Sequence, residues 1–266
     1  MFYYFGYASN MNMTSLRAKG VVPVSSENAE LIGWTLKFNV RHWFRHEGGM
    51  ANIEPATPDD AVLGRIHLID EQHLAMLDAV ESYGEGYDRI EVEVRTSKGM
   101  VKAITYIGLP GYLDNGCLPT QRYLNIITHG AASVGIDEAY ISRLRSLKIQ
   151  PPIDYPPFLS PDITSTTAIF NEPQLASNPL YTALMDAVFD MQYVRKDLYC
   201  LHSLFGGKDT TLFHCKRHDS SDGSETLKDI YDGNISESAK AYLNAYLHEY
   251  NNEFRYVGVY RPDNLC

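Results

Sequence analysis

The chain has 266 residues, 44% hydrophobic and 21% charged, which is enough for a real core and too apolar for a mainly disordered chain. Its formal net charge of −10 argues against a nucleic-acid or anionic-membrane surface. MFYYFGYASN lacks the basic and apolar regions of a secretory signal, and no stretch approaches the roughly 20 apolar residues of a membrane span. Cys117, Cys200, Cys215 and Cys266 form no CxxC pair, so a cytoplasmic protein with reduced thiols is expected, with no nucleic-acid or membrane partner.

In chain order, FYYFGYAS opens as an aromatic, β-prone run. Thr35 to Val40, Ala51 to Ile53 and Val62 to Ile69 continue the strand pattern. Asp70 caps a short helix whose apolar face is Leu74, Leu77 and Val80, and which ends near Glu81, before the Gly84 and Gly86 loop. From Tyr87 to Thr96, Ile90, Val92 and Val94 alternate with Arg89, Glu91, Glu93 and Arg95. Ser97 to Met100 then turns the chain into a partner strand running from Val101 to Leu109.

A second helix follows Pro119-Thr120, with Tyr123, Ile126, Ile127, Ala131 and Val134 at helical spacing and Gly135 as its stop. Asp137 caps a third, carrying Tyr140, Ile141, Leu144 and Leu147. QPPIDYPPFLSPDITS, residues 150–165, holds five prolines and reads as an ordered linker or a strap across the first domain. Beyond it, Asn178-Pro179 predicts a helix with Leu180, Leu184, Val188 and Met191. Ser236 opens a last helix whose stripe, Ala239, Leu243, Tyr246, Leu247, Tyr250 and Phe254, suits a core or a homodimer contact. Arg255 to Tyr260 reads as a closing strand.

Three segments carry the chemistry. A turn built from Ala8, Ser9 and Asn10 after the first strand exposes consecutive backbone N–H groups, the usual donors for a carboxylate or a developing oxyanion. Glu81 stands at a helix C-terminus, where the partial negative charge of the backbone favours a protonated carboxyl, a suitable proton shuttle in a partly dry pocket. Glu85, in the glycine-rich loop, is the poorer rival. Tyr123, in the first turn of its helix, can donate its hydroxyl into a pocket or simply pack. RHWFRH, residues 41–46, is a candidate for a carboxylate of a leaving group, or an ordinary strand end. HCxxH supplies three possible ligands in five residues, His214, Cys215 and His218, with Cys200 and His202 upstream, but Lys216 and Arg217 lie between them and oppose a cation, so a metal site is discounted.

YFGYASNM resembles the YxxYGSNL opening of the gamma-glutamylcyclotransferase-like (AIG2-like) family. ANIEP (51–55), VLGRIHLI (62–69), LDAVE (77–81) and the segment from Pro119 to Ile136 are similar to its later motifs, in order, over about residues 1–147. The resemblance implies an α+β fold, a small mixed β-barrel flanked by helices over residues 1–148, and no cofactor or metal. A Pro-rich strap or linker (149–177) and a largely helical C-terminal extension (178–266) would follow. It also implies an intramolecular reaction, in which the α-amine of a γ-glutamyl amide attacks its own γ-carbonyl, closing 5-oxoproline and releasing an amine or amino acid. Glu81 would be the catalytic carboxylate. Tyr7, Ala8, Ser9, Asn10 and Met11 would hold the α-carboxylate or oxyanion through their backbone, and Tyr87 and Tyr123 would be pocket tyrosines. Ala8 and Ser82 stand where the family usually has glycine. Two alternatives stay open: a non-catalytic binding module on the same barrel, and a cyclotransferase that deprotects a γ-glutamylated specialised metabolite.

Overall fold

The computed structural model describes residues 1–161 and 167–263 and divides into two units, Met1–Pro152 and Ile153–Cys266. In the first unit, β1 (Phe2–Gly6) is followed by a 3-10 turn (Ser9–Met11), α1 (Met13–Ala18), β2 (Ser25–Ile32), β3 (Trp34–Arg41), β4 (Gly49–Pro55) and β5 (Ala61–Ile69). Then come a 3-10 turn (Glu71–His73), α2 (Leu74–Val80), β6 (Tyr87–Thr96), β7 (Gly99–Gly108), α3 (Gln121–Ser133) and α4 (Glu138–Arg145).

Five strands close into a barrel in the order β1-β5-β2-β6-β7, while β3 and β4 form a separate two-stranded sheet. The barrel is mixed. β1 runs antiparallel to β5, with Tyr4 opposite His67, and meets β7 in parallel, with Tyr4 opposite Ile104. β6 and β7 pair antiparallel from Tyr87↔Gly108 to Thr96↔Gly99. Val92 and Val94 turn inward, as their alternation implies, to join Phe5, Leu31, Val62, Ile66 and, from α3, Leu124 and Ile127 in the core. ANIEP lies in the β3–β4 hairpin and not in the barrel wall.

In this unit one helix and one strand went unanticipated. α1 is held by the Asn12 side chain, which accepts from the Thr14 and Ser15 N–H groups. β2, SSENAELI, buries only Ala29 and Leu31, so its apolar signal is weak, yet it pairs with β5 along its length from Ser25↔Leu68 to Ile32↔Ala61. The helices flanking the barrel stand where their caps place them. Thr120 accepts from the Tyr123 N–H, Asp137 from that of Tyr140, and Gly135 ends the α3 region at φ 71°.

The second unit contains β8 (Ala168–Phe170), α5 (Glu172–Ala176), β9 (Tyr181–Leu184), β10 (Ala187–Asp190), α6 (Cys200–Phe205) and β11 (Lys208–Asp209). α7 (Thr211–Cys215), α8 (Leu227–Tyr231), α9 (Glu237–Glu253) and β12 (Arg255–Tyr260) follow. Helices make up most of its regular structure, and α5 and α9 pack on a five-stranded sheet ordered β11-β9-β10-β12-β8. The helix expected from Asn178-Pro179 is replaced by the β9–β10 hairpin. Asn178 closes a turn, its carbonyl accepting from the Tyr181 N–H at 2.9 Å. Thr182 to Leu184 and Ala187 to Phe189 are all buried, so the strands show no alternation, and the spacing of Leu180, Leu184 and Val188 imitates a helix.

The Pro-rich segment starts on the first unit, where the Gln150 N–H donates to the Pro119 carbonyl at 2.9 Å. Its residues 155–158 lie on α9 of their own unit: the Phe158 N–H donates to Asn244, and Asn244 and His248 both donate to the Pro156 carbonyl, at 2.7, 2.9 and 2.8 Å. Residues 162–165 of that segment, and Cys266, lie outside the described residues.

Candidate active site

Asp70 starts the approach to Glu81. Its carboxylate accepts from the Gln72 N–H at 3.0 Å and opens the turn that leads into α2. Leu77 is buried, and Glu81, four residues on and therefore on the same face, is the C-cap residue. Between them Asp78 ties α2 to the barrel, taking Arg89 of β6 at 2.8 and 2.7 Å and the Tyr106 hydroxyl of β7 at 2.5 Å. The helix end is thereby fixed against the barrel mouth.

There Glu81 faces a cavity of about 30 Å³ lined by Tyr4, Tyr7, Ala8, Ser9, Asn10, Ala51, Tyr87, Tyr106 and Tyr123. Its side chain keeps 16% of its exposure, so the carboxylate is neither sealed nor in bulk water. Asn10 Nδ2 donates to Glu81 Oε1 at 2.8 Å and to the Tyr4 hydroxyl at 2.5 Å, and the Lys19 ammonium stands 3.5 Å from the same Oε1. Asn10 Oδ1 accepts from Lys19 at 2.6 Å. Lysine has only donors, so the amide oxygen must face it and the amide nitrogen must face Glu81.

The tyrosines form the rest of the wall. Tyr7 donates to the Tyr106 carbonyl at 2.7 Å and Tyr87 to the Ala51 carbonyl at 2.8 Å, while the Tyr123 hydroxyl accepts from the Ala51 N–H at 3.4 Å. Burial, and then the negative charge of Glu81, push the phenols of Tyr4 and Tyr7 well above their ordinary range. Burial chiefly raises Tyr87 as well, and lifts Tyr123 to about 12. All four are neutral at physiological pH and act as hydrogen-bonding groups.

Behind the turn, His67 is fully buried. Its Nε2 stands 3.0 Å from the Asn10 carbonyl and its Nδ1 2.7 Å from the Ser26 hydroxyl. A carbonyl only accepts, so Nε2 carries the proton and Nδ1 accepts from Ser26. Burial, then the charge of Arg65, lower its pKa to about 4, so the ring is a neutral clamp on the turn.

Seven of the residues expected from the sequence therefore meet around one cavity: Tyr7, Ala8, Ser9, Asn10, Glu81, Tyr87 and Tyr123. Met11 does not. Its side chain is fully buried in the barrel core and its N–H donates to the Ala8 carbonyl at 2.9 Å, so it has neither side chain nor amide to offer. Glu85 does not line the cavity. The departures from the family pattern resolve differently. Ala8 sits at φ −136° and needs no glycine, whereas Ser82 sits at φ 52°, where a glycine is preferred.

Tyr4, Lys19, Ala51 and Tyr106 were missed. The two tyrosines lie in β-prone runs, which gave a weak signal, while Lys19 sits just past α1 with no local pattern to mark it. In RHWFRH, Trp43 comes within 3.5 Å of the position a Cβ would take on Gly86, beside the loop that follows Glu81. A larger groove of about 670 Å³ lies elsewhere on the same unit, lined by Trp34, Phe38, Leu63, Pro119, Tyr140 and Leu144 among others. Its lining includes Asp59, Asp60 and Asp137 but no residue of the Ala8–Asn10 turn and not Glu81. Among the described residues no group of three or more His, Cys, Asp or Glu could hold a metal, and no helix is long and apolar enough to cross a membrane.

The model of the AIG2-like family matches residues 61–144, a stretch that holds β5, Glu81, Tyr87 and Tyr123. A solved structure described as gamma-glutamyl cyclotransferase is 26% identical, covering 60% of this chain and 93% of its own, with a TM-score of 0.50. A protein from Homo sapiens, titled uncharacterized protein loc79017, is 27% identical with the same coverage and TM-score: 60%, 93% and 0.50. No curated protein sequence matches the chain significantly. Residues 61–144 are thus AIG2-like in sequence, and over 60% of its length the chain has a fold similar to that of the structure described as gamma-glutamyl cyclotransferase.

Proposed function

We propose that the protein is a γ-glutamyl cyclotransferase that needs no cofactor. The observation that carries this reading is Glu81, a half-sheltered carboxylate facing the Ala8–Asn10 turn across a cavity walled by neutral tyrosines. In a turn whose first carbonyl acceptor is that of Ala8, the N–H groups of Ala8, Ser9 and Asn10 have no acceptor inside the turn. They are the natural partners for the substrate's α-carboxylate or for the oxyanion on its γ-carbonyl.

The α-ammonium of the γ-glutamyl group pairs with Glu81 and gives it a proton. The freed amine attacks the γ-carbonyl carbon, forming the ring C–N bond. The C–N bond to the leaving amine then breaks as Glu81 returns the proton to that nitrogen, the ring nitrogen gives up its second proton to the released amine by way of Glu81 or solvent, and the products are 5-oxoproline and the protonated amine. The nucleophile is tethered to its electrophile, so the enzyme has only to fold the arm into near-attack geometry and carry one proton. One carboxylate and oriented donors suffice.

The cavity, at about 30 Å³, holds about one water, so it forms the narrow base of the site, against which the γ-glutamyl head group would rest with the leaving amine outside it. Incubating the protein with a panel of γ-glutamyl amides and detecting 5-oxoproline by mass spectrometry tests the reading. Stoichiometric 5-oxoproline and amine from at least one member supports it, and binding without product at high enzyme concentration favours the binding module instead.

A further inference from the structure

The geometry points to Lys19 as a positioning residue that commits one oxygen of the Glu81 carboxylate to the protein and leaves the other to the substrate. For its chemical consequence this rests on the cyclotransferase reading. Lys19 keeps only 7% of its exposure, and an ammonium is costly to bury unless acceptors meet it. Here Asn10 Oδ1 lies at 2.6 Å, Ser9 Oγ at 3.4 Å and Glu81 Oε1 at 3.5 Å. Two of these residues belong to the turn opposite Glu81, so a single side chain joins both walls of the cavity.

The division of the carboxylate follows from the same contacts. Oε1 receives both Asn10 Nδ2 and the Lys19 ammonium, and Oε2 meets no donor among the described residues. A carboxylate has acceptor capacity on both oxygens, so Oε2 is the one left for an incoming ammonium. Lys19 also dictates which way the Asn10 amide is turned, because it accepts nothing. Without the ammonium, the amide can flip and present its oxygen to Glu81, and the carboxylate can swing about its terminal torsion, which is broad. Proton removal and return depend on one oxygen aligned with one nitrogen, and a misplacement of about 1 Å is worth about 100-fold in rate. Lys19 itself touches no reacting atom.

The test compares wild type with Lys19→Met, Lys19→Arg and Asn10→Asp on a γ-glutamyl amide that wild type turns over, alongside crystal structures of wild type and Lys19→Met. The expected result for Lys19→Met is a kcat lowered at least about 10-fold with KM within about 3-fold, and kcat restored to within about 3-fold by Lys19→Arg. Asn10→Asp, nearly isosteric, keeps an acceptor for Lys19 but removes the donor to Oε1. It lowers kcat similarly, and it decides the matter should Lys19→Met fail to fold. In the crystals the 2.8 Å contact between Asn10 Nδ2 and Glu81 Oε1 is present in wild type and lost in Lys19→Met. Unchanged kcat in the folded Met variant, or in Asn10→Asp, overturns the proposal, as does a Met-variant structure with that contact intact. If wild type forms no 5-oxoproline at all, the cyclotransferase reading falls by itself, and the pair of crystal structures still judges the positioning role.

Discussion

Asp78 grips Arg89 with both carboxylate oxygens, at 2.8 and 2.7 Å, across the gap between α2 and β6, and accepts the Tyr106 hydroxyl from the neighbouring strand β7 as well. Arg89 and Tyr106 are register partners in the β6–β7 ladder, so one side chain reads two adjacent barrel strands. Glu81 stands one helical turn further on. The pair is partly exposed, which discounts its strength, and Asp78→Ala is expected to lose about 1–2 kcal/mol in urea unfolding and to slow turnover by releasing the helix end. An unchanged midpoint and rate would mean that α2 is held by its apolar face alone.

Ser82 has a left-handed backbone, at φ 52°, and its carbonyl accepts from the N–H groups of Glu85, Gly86 and Tyr87 at 3.0, 2.8 and 3.3 Å. The loop after Glu81 therefore hangs on one strained residue. Glycine relieves the strain but gains freedom when unfolded, so Ser82→Gly stabilises by about 0.5–1 kcal/mol, and Ser82→Val, β-branched in that region, destabilises. Thermal and urea unfolding of the two variants measure the difference, and a Ser82→Gly protein less stable than wild type contradicts the argument.

Gly130 lets α3 close on the turn. A Cβ at that position would stand 2.7 Å from the Asn12 nitrogen and 2.9 Å from its Cα, both backbone atoms. Gly130→Ala must push Asn12, the cap of α1, away from α3, at a cost of about 2 kcal/mol. The displaced turn carries Ser9 and Asn10, so turnover is expected to fall with stability. A fully stable, fully active Gly130→Ala protein would show that this approach is not needed.

The His67 clamp makes stability depend on pH. Its pKa falls from 6.5 to about 4 on folding, so between those values the unfolded chain binds more protons than the folded one. Its contribution is complete above pH 6.5, declines as pH falls toward 4, and amounts to about 3 kcal/mol over the window. His67→Gln keeps a donor for the Asn10 carbonyl but does not titrate. The gap between its urea stability and that of wild type should therefore shift in favour of the variant as pH falls from 7 to 4.5. Parallel curves would remove the assignment.

Much of the barrel was legible where one strand face is wet. Val92 and Val94 alternate with charged neighbours and so report β6 directly, and Asp70, Thr120, Asp137 and Ser236 mark helix starts because their side chains satisfy the first free N–H groups. β2 was illegible because only Ala29 and Leu31 of its eight residues are buried, and β9 and β10 because burial on both faces erases alternation. At the site, Glu81 was recognisable from its motif. Lys19 and Asp78 were not, since their partners lie 62 and 11 residues away in sequence and only the closed barrel brings them together. Met11 was misplaced because a 3-10 turn consumes its amide locally, which residue types alone do not reveal.

The central claim is that Glu81 carries the proton in an intramolecular γ-glutamyl transfer. Glu81→Gln preserves size and polarity while removing the charge, so its direct test is 5-oxoproline formation by wild type and Glu81→Gln from one γ-glutamyl amide, at matched thermal stability. The account predicts turnover by wild type and a loss of at least about 1000-fold in the variant, with its melting temperature little changed. Equal rates in the two folded proteins would contradict it.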